Sequence, residues 1–395
     1  MDSFHAQKVS PYHILPQNAS LTSPASRENA LDTPSIKRHK LIENKEPKQT
    51  TAFDTLQRQS WNGFLANKCC FKAPSDFFDV FALALNLRPE CPCEAFIETL
   101  GIQLCGPFDL LAASEQKEVT IDKPLYLHGR FFFDPPEIIT VMMDNDSDVG
   151  RHWGYFRDVP DQVPEYVVCA ETSRECKFDI VSTSLFHVLK SRLEKRGSAL
   201  GTGGAAGLLE KIKAYCDENA CTGGQSEAAL RTKRAKESVA ASLHQLGIVV
   251  PMDIKRNTGY RELPTTGKDL ADLLNQLKQD ASKKTPARKM LCDLITRATI
   301  ASDECDFGTG LLLGLDIFTA GLCLEKEALQ LLRVAYMLLH RDNFYKIASG
   351  HCEHRIGDDR NAYINSIVHF GSNARNEQSK QVTVRLPQPL VAMEK

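Results

Sequence analysis

The chain has 395 residues, 42% of them apolar and 25% charged, with a net charge of −2; this is a globular composition with length enough for two ordinary cores. No run nears the roughly 18 to 20 uninterrupted apolar residues of a membrane span, and the opening residues lack the charged-then-apolar pattern of a secretory signal, so a soluble, intracellular protein with no membrane partner is expected. Near-neutral charge argues against a whole-molecule grip on nucleic acid and leaves only local basic patches, with no sequence-specific reading of DNA or RNA.

Residues 1–52 are rich in Ser, Thr, Pro, Asn and Lys, with Phe4 and Tyr12 the only aromatics. They cannot bury enough apolar area to offset the entropy of ordering, which predicts a disordered tail. Within it, Lys37-Arg38-His39-Lys40 reads either as a nuclear import signal or as ordinary solvated charge.

From 53 to 196 the pattern is mixed. Phe77, Phe78, Val80, Phe81 and Leu85 predict a helix opened by Ser75 as N-cap after Pro74. The runs at 125–133 and 137–143 are strand-like, parted by Pro135-Pro136, which cannot continue a central strand. Residues 152–157 and 166–170 predict further strands around the turn Val159-Pro160-Asp161, and 184–195 returns to helical period. This is an α+β subdomain on an antiparallel sheet.

Residues 197–207 (GSALGTGGAAG) read as a linker; no strand and no Lys-Ser/Thr follow, so these glycines make no P-loop. From 208 to 350 helices dominate. Leu270, Leu273, Leu274 and Leu277 repeat at i, i+3, i+4 and i+7, and Ala328, Leu331, Leu332, Ala335, Leu338 and Leu339 form one face of a later helix. Thr285-Pro286 separates the first of these from the helix approaching Asp303, and 249–264 is an extended polar insert. Residues 351–395 read as a polar tail that frays. The fold class is therefore α+β, an antiparallel-sheet subdomain packed against a largely helical one, behind a disordered N-terminal tail.

Thirteen cysteines in a long chain without a signal, mostly in apolar context such as Cys105, Cys169, Cys292 and Cys323, read as reduced thiols acting as small hydrophobes. Cys91-Pro-Cys93 and Cys69-Cys70 lack the spacing of a zinc site, and His351, Cys352 and His354 are assigned to a mobile tail. No metal is expected.

Three carboxylates, Asp303, Glu304 and Asp306, fall within four positions, between Leu291, Leu294, Ile295 and Ala298 on one side and Leu311, Leu312, Leu313 and Leu315 on the other. So placed, they sit at the rim of a packed core on backbone rigid enough to aim them. Neighbours on a helix point about 100 degrees apart, so Asp303 and Glu304 serve different partners. No second acidic group faces them as a glycosidase requires, and no Ser-His or Cys-His arrangement is recognisable.

The segment GYRELP at 259–264, DECDFGTGLLLGLDIF at 303–318 and WGYFRDVPDQVPEYV at 153–167, with LGIQLCGPFDLLA at 100–112 and RFFFDPPE at 130–137, together resemble the histone PARylation factor 1 family across about 71–345. The resemblance implies an accessory factor that docks on the catalytic domains of poly(ADP-ribose) polymerases 1 and 2, while NAD stays bound to the polymerase and no cofactor binds this chain. It implies that Glu304 takes the proton from a substrate serine, and that Asp303, Arg261 and Tyr260 hold the polymerase. It implies serine modification of histones and of the polymerase itself, poly(ADP-ribose) binding, and a place in the nucleus, on chromosomes at sites of DNA damage. Other readings stand beside it: a stand-alone hydrolase of ADP-ribosyl groups using Glu304, a non-catalytic scaffold, an internal salt bridge from Arg261 to the acidic loop, and a purely structural Asp306 capping the next helix. The sequence departs from the family at Asn257, where an acid is frequent just before Gly-Tyr-Arg, and at Phe307, where Tyr is usual; the tail before Phe53 carries no recognisable zinc finger.

Overall fold

The computed structural model describes residues 53–147, 149–171, 177–196, 204–218, 226–279, 285–321, 324–355, 363–368 and 381–390. The expected tail at 1–52 with its Lys37-Arg38-His39-Lys40 cluster, residues 197–203 of the expected linker, and Cys323 lie outside the described residues.

Helix α1 (Thr55–Cys69) opens on Asp54, whose side chain accepts the Leu56 amide. Helix α2 (Ser75–Leu87) corrects an expectation: Pro74 is the N-cap, with extended ψ, and Ser75 is the first helical residue with no capping bond. The first-turn acid Asp76 is drawn away, because its buried carboxylate accepts from the Leu185 amide at 2.8 Å, Ser184 Oγ at 3.0 Å and Tyr155 Oη at 2.9 Å. It caps a different helix, one 109 residues later in the chain.

After the short α3 (Ile97–Leu100) come β1 (Ile102–Leu104), α4 (Pro107–Ala112), β2 (Glu118–Ile121) and β3 (Arg130–Phe131). Most of the strand-like run at 125–133 is therefore not strand; Leu125–Leu127 is a 3₁₀ turn. The reason is Arg130, fully buried, which satisfies its guanidinium on the carbonyls of Pro135 at 3.0 Å, Pro136 at 3.1 Å and Ile138 at 2.7 Å, folding the segment back around the two prolines. Strands β4 (Ile138–Asp144), β5 (Arg151–Phe156), β6 (Tyr166–Glu171) and β7 (Phe178–Ser182) complete an antiparallel sheet in the order β1-β4-β5-β6-β7. His152, Trp153, Tyr155 and Arg157 are buried in or beside it, as expected. Helices α5 (Leu185–Arg196), α6 (Gly204–Glu218) and α7 (Glu227–Glu237) follow. Helix α6 takes in Gly204 and Gly207, so the last part of the expected linker is helix, carried by the apolar residues Leu208 and Ile212 that bury behind it.

Then come α8 (Gly267–Gln279), α9 (Pro286–Asp303), α10 (Phe307–Ala320), α11 (Glu325–Leu338) and α12 (Asp342–His354). Leu270, Leu273, Leu274 and Leu277 are all buried on α8. Thr285 caps α9 through its side chain, with Pro286 in the first turn. The described residues beyond 350 do not fray as expected. Helix α12 runs past His351, which is fully buried, and the short strands β8 (Tyr363–Ile364) and β9 (Val382–Arg385) pair back onto β3 and β2. Leu386 and Leu390 are buried, and the Trp61 indole donates to the Gln388 carbonyl at 3.0 Å, so apolar anchors and a ladder hold a segment whose composition reads as polar.

Three apolar clusters result. One fills the space between the sheet and α1, α2 and α5, with Trp61, Phe77, Phe108, Tyr155 and Phe186. A second lies within α8–α12. The third covers the other sheet face with Phe156, Tyr166 and Phe178 against Leu230 of α7. A buried polar seam joins sheet and helices: Tyr336 Oη donates to Glu137 at 2.6 Å, Arg341 donates to the Val249 carbonyl at 2.8 Å, and Arg157 lies 5.3 Å over the Phe344 ring while donating to the Cys70 carbonyl. Burial pulls the Arg157 guanidinium down to about 9 and that of Arg130 to about 10.

Candidate functional site

Helix α9 ends in a Schellman motif, and that ending places the acids. The Asp306 amide reaches back to the Ala301 carbonyl at 2.8 Å and the Cys305 amide to Ser302 at 3.2 Å, with Cys305 at φ +70°, the left-handed position usually filled by glycine. Four backbone bonds therefore fix Glu304 at the C-cap, two of them from its own amide, to Ile300 at 3.1 Å and Ala301 at 3.2 Å. Asp303, on the last turn, is exposed, and Asp306 is buried to 1%.

Asp306 does not cap α10 with its side chain; it ties the distant Gly-Tyr-Arg segment to the acidic turn. Its Oδ1 accepts the Gly259 amide at 2.9 Å and its Oδ2 meets Arg261 Nη2 at 2.8 Å. Three further bonds complete the clamp: the Gly308 amide to the Gly259 carbonyl at 2.8 Å, the Arg261 amide to Thr309 Oγ1 at 2.9 Å, and Thr309 Oγ1 to the Arg261 carbonyl at 2.7 Å. The approach demands glycine on both sides. A Cβ on Gly308 would sit 2.9 Å from the Gly259 carbonyl, and Gly259 itself has φ +128° with the Pro251 carbonyl 2.5 Å from where its Cβ would be.

So held, Arg261 turns its other nitrogen to Glu304: Nη1 lies 2.5 Å from Oε2, with the two side chains 53% and 51% exposed. Arg261 thus makes the internal salt bridge to the acidic loop that stood as one of its two readings. The Glu304 carboxylate holds the guanidinium above its ordinary value against an opposing loss from desolvation, with smaller help from Asp306. Tyr260 is half-buried, packed on the helical core; burial raises its phenol, with Glu262 and Asp316 adding to the shift.

Sequence reasoning brought Tyr260, Arg261, Asp303 and Glu304 into one candidate site, and the fold brings Arg261 and Glu304 into contact. It missed Thr309 as a clamp and Asp316 altogether. Asp316 is buried in the middle of apolar α10, accepts the Leu243 amide at 2.8 Å, and lines a crevice of about 10 Å³, room for one water, with Tyr260, Leu270 and Thr309. Burial pushes its carboxyl up to about 7, against the opposing Leu243 hydrogen bond. A polar residue at i+7 from Thr309, inside a leucine run, was the signal available.

Among the described residues no group of three or more His, Cys, Asp or Glu is placed to hold a metal ion. The described cysteines are free; Cys105 is buried, Cys169 half-buried, and Cys292 exposed against expectation, because it faces outward from α9 beside Asp293. His351 and Cys352 belong to α12 and not to a mobile tail.

The model of the family described as histone PARylation factor 1 matches residues 60–355, which takes in both site segments and most of the described fold. The chain belongs to this family. It is 36% identical to histone PARylation factor 1 of Mus musculus over 289 residues, covering 71% of this chain and 83% of that protein. Against the Danio rerio histone PARylation factor 1 it is 33% identical, with 73% and 84% covered. A Homo sapiens relative named putative histone PARylation factor 1-like is 32% identical over 297 residues. Arg261, Glu304 and Asp306 all lie within the matched residues.

Proposed function

We propose that this chain is an accessory factor in histone ADP-ribosylation that docks on the catalytic domains of poly(ADP-ribose) polymerases 1 and 2 and completes their active site. The observation that carries the reading is the half-exposed Glu304 carboxylate on a backbone fixed by four hydrogen bonds, offered outward at the core rim with Arg261 beside it. A serine hydroxyl is a weak nucleophile at neutral pH and needs a base, whereas a carboxylate acceptor arrives already ionised. Glu304 takes the serine proton as the serine oxygen bonds C1 of the NAD ribose and nicotinamide leaves with the electrons of the glycosidic bond. NAD is held by the polymerase, and this chain contributes binding surface and one base.

Arg261, Tyr260 and Asp303 form the contact with the polymerase. Arg261 suits a planar, multi-donor contact such as carbonyls or a chain terminus, and its anchoring by Asp306 lets it swing one nitrogen from Glu304 to the partner without leaving the site. The working place of such a factor is the nucleus, on chromosomes at DNA damage sites, with histones and the polymerase as substrates.

The test is a reconstituted reaction with NAD, polymerase, nicked DNA and a histone peptide. Serine modification should need both proteins, vanish with Glu304→Ala while the complex still forms, and fall with Arg261→Ala through loss of binding. Turnover of ADP-ribosyl groups by this chain without polymerase would favour a stand-alone hydrolase, and full activity of Glu304→Ala would leave only a scaffold.

A further inference from the structure

Residues 252–258, just ahead of the clamp, form a small hairpin whose outer side chains the Glu304 site does not use. Asp253 and Thr258 exchange both backbone bonds, at 2.9 and 3.2 Å, closing a tip of Ile254, Lys255, Arg256 and Asn257. The Asp253 carboxylate accepts the amides of Lys255 at 3.0 Å and Arg256 at 3.2 Å, and Asn257 takes φ +51°, a left-handed conformation that Asn tolerates and most residues resist. The tip is ordered by its own backbone. Yet it holds Ile254 at 91% exposure, with Met252 at 40% and Arg256 at 83%.

A single exposed apolar side chain is ordinary. Here there are two, either side of the bridging Asp253, on a rigid element, next to two cations and continuous with the site. The Sδ of Met252 lies 2.7 Å from where a Gly259 Cβ would stand, so Met252 rests on the backbone two residues before Arg261. Met252 thus packs on the segment that leads through Tyr260 to Arg261. A partner that took Ile254 out of water would gain the free energy of its burial, and a preformed tip loses little further entropy on docking.

We propose that this hairpin is a second anchor for the same partner that receives Glu304, with Ile254 and Met252 entering an apolar pocket on that partner whose rim is acidic and faces Lys255 and Arg256. The inference rests on the docking reading above and adds to it a contact that sets affinity and not chemistry.

The experiment measures binding of the full chain to full-length poly(ADP-ribose) polymerase 1 on a nicked duplex, with thermal melting of each variant as a folding control. Ile254→Asp should weaken binding about tenfold or more through faster dissociation with unchanged melting, and Ile254→Leu should restore it. The double reversal Lys255→Glu, Arg256→Glu should slow association and flatten its salt dependence. At saturating Ile254→Asp the rate of serine modification should match wild type. If wild type itself fails to bind, the docking reading falls. If wild type binds and Ile254→Asp binds equally well, or if Ile254→Asp only breaks up a self-associated form of the free chain, the anchor is overturned and the docking reading stands.

Discussion

Asp306 shows how much a single side chain can settle. Its two oxygens hold the Gly259 amide and one nitrogen of Arg261, while its backbone closes the end of α9. Replacing it with Ala orphans a buried amide, a loss of about 2 kcal/mol from the desolvation of one unpaired donor, and chemical denaturation of Asp306→Ala should read that loss. Asp306→Asn, which keeps an acceptor for Gly259 but not the charge for Arg261, should recover most of the stability while polymerase binding stays impaired. Glu304 is different in kind. It is exposed and its partner is exposed, so Glu304→Gln should leave the melting temperature within about a degree or two, an exposed ion pair being worth little, while removing serine modification in the reconstituted assay.

At the scale of elements, the site depends on Gly259 and Gly308, 49 positions apart in the chain, being brought to backbone contact. Gly308→Ala puts a methyl 2.9 Å from both the Gly259 carbonyl and Val250 Cγ2, so the clamp must open. The expected outcome is a loss of about 1 to 3 kcal/mol, the usual cost of overpacking, together with weaker polymerase binding, since Arg261 shifts with its segment. Gly259→Ala should cost at least as much because the backbone conformation is strained for any side chain as well. The sequence announced both segments as chemically unusual, one by GYR and one by its acids. It did not announce that they touch, because nothing local in either encodes the other's position.

For the whole molecule, buried ionisable groups set how stability follows pH. Asp316 rises from its ordinary 3.8 to about 7 in the folded chain, so the folded state holds a proton that the unfolded state has released; its stabilisation is complete below 3.8 and is lost as pH climbs through 7. His244 falls from 6.5 to about 3, through burial and the nearby Arg234, so its contribution is complete above 6.5 and is lost as pH drops toward 3. Between pH 4 and 6.5 the two run against each other. Asp316→Asn keeps an acceptor for the Leu243 amide and removes one slope, so denaturant unfolding should find it more stable than wild type at pH 8, by on the order of 4 kcal/mol, with the advantage gone at pH 4. The seam between sheet and helices has its own test. Tyr336→Phe removes the hydroxyl that donates to Glu137, a carboxyl already raised by burial, and should cost about 1 to 3 kcal/mol in the same measurement.

The amino-acid sequence by itself determined the mixed α and β character, the apolar stripes of α8 and α11, the break at Thr285-Pro286 before α9, the strands around Val159-Pro160-Asp161, and a cluster of acids at the rim of a core. These follow from periodicity, capping and turn chemistry, which act between residues a few positions apart. Only the tertiary structure decided that Arg261 sits on Glu304, that Asp306 is an anchor and not a cap, that Asp76 caps α5, and that a polar C-terminal stretch returns as β8 and β9 to β3 and β2. Each is a choice of partner made across tens or hundreds of residues. A buried charge or an open strand edge must find some partner to offset its desolvation, and which one it finds is fixed by packing in three dimensions, not by its neighbours along the chain.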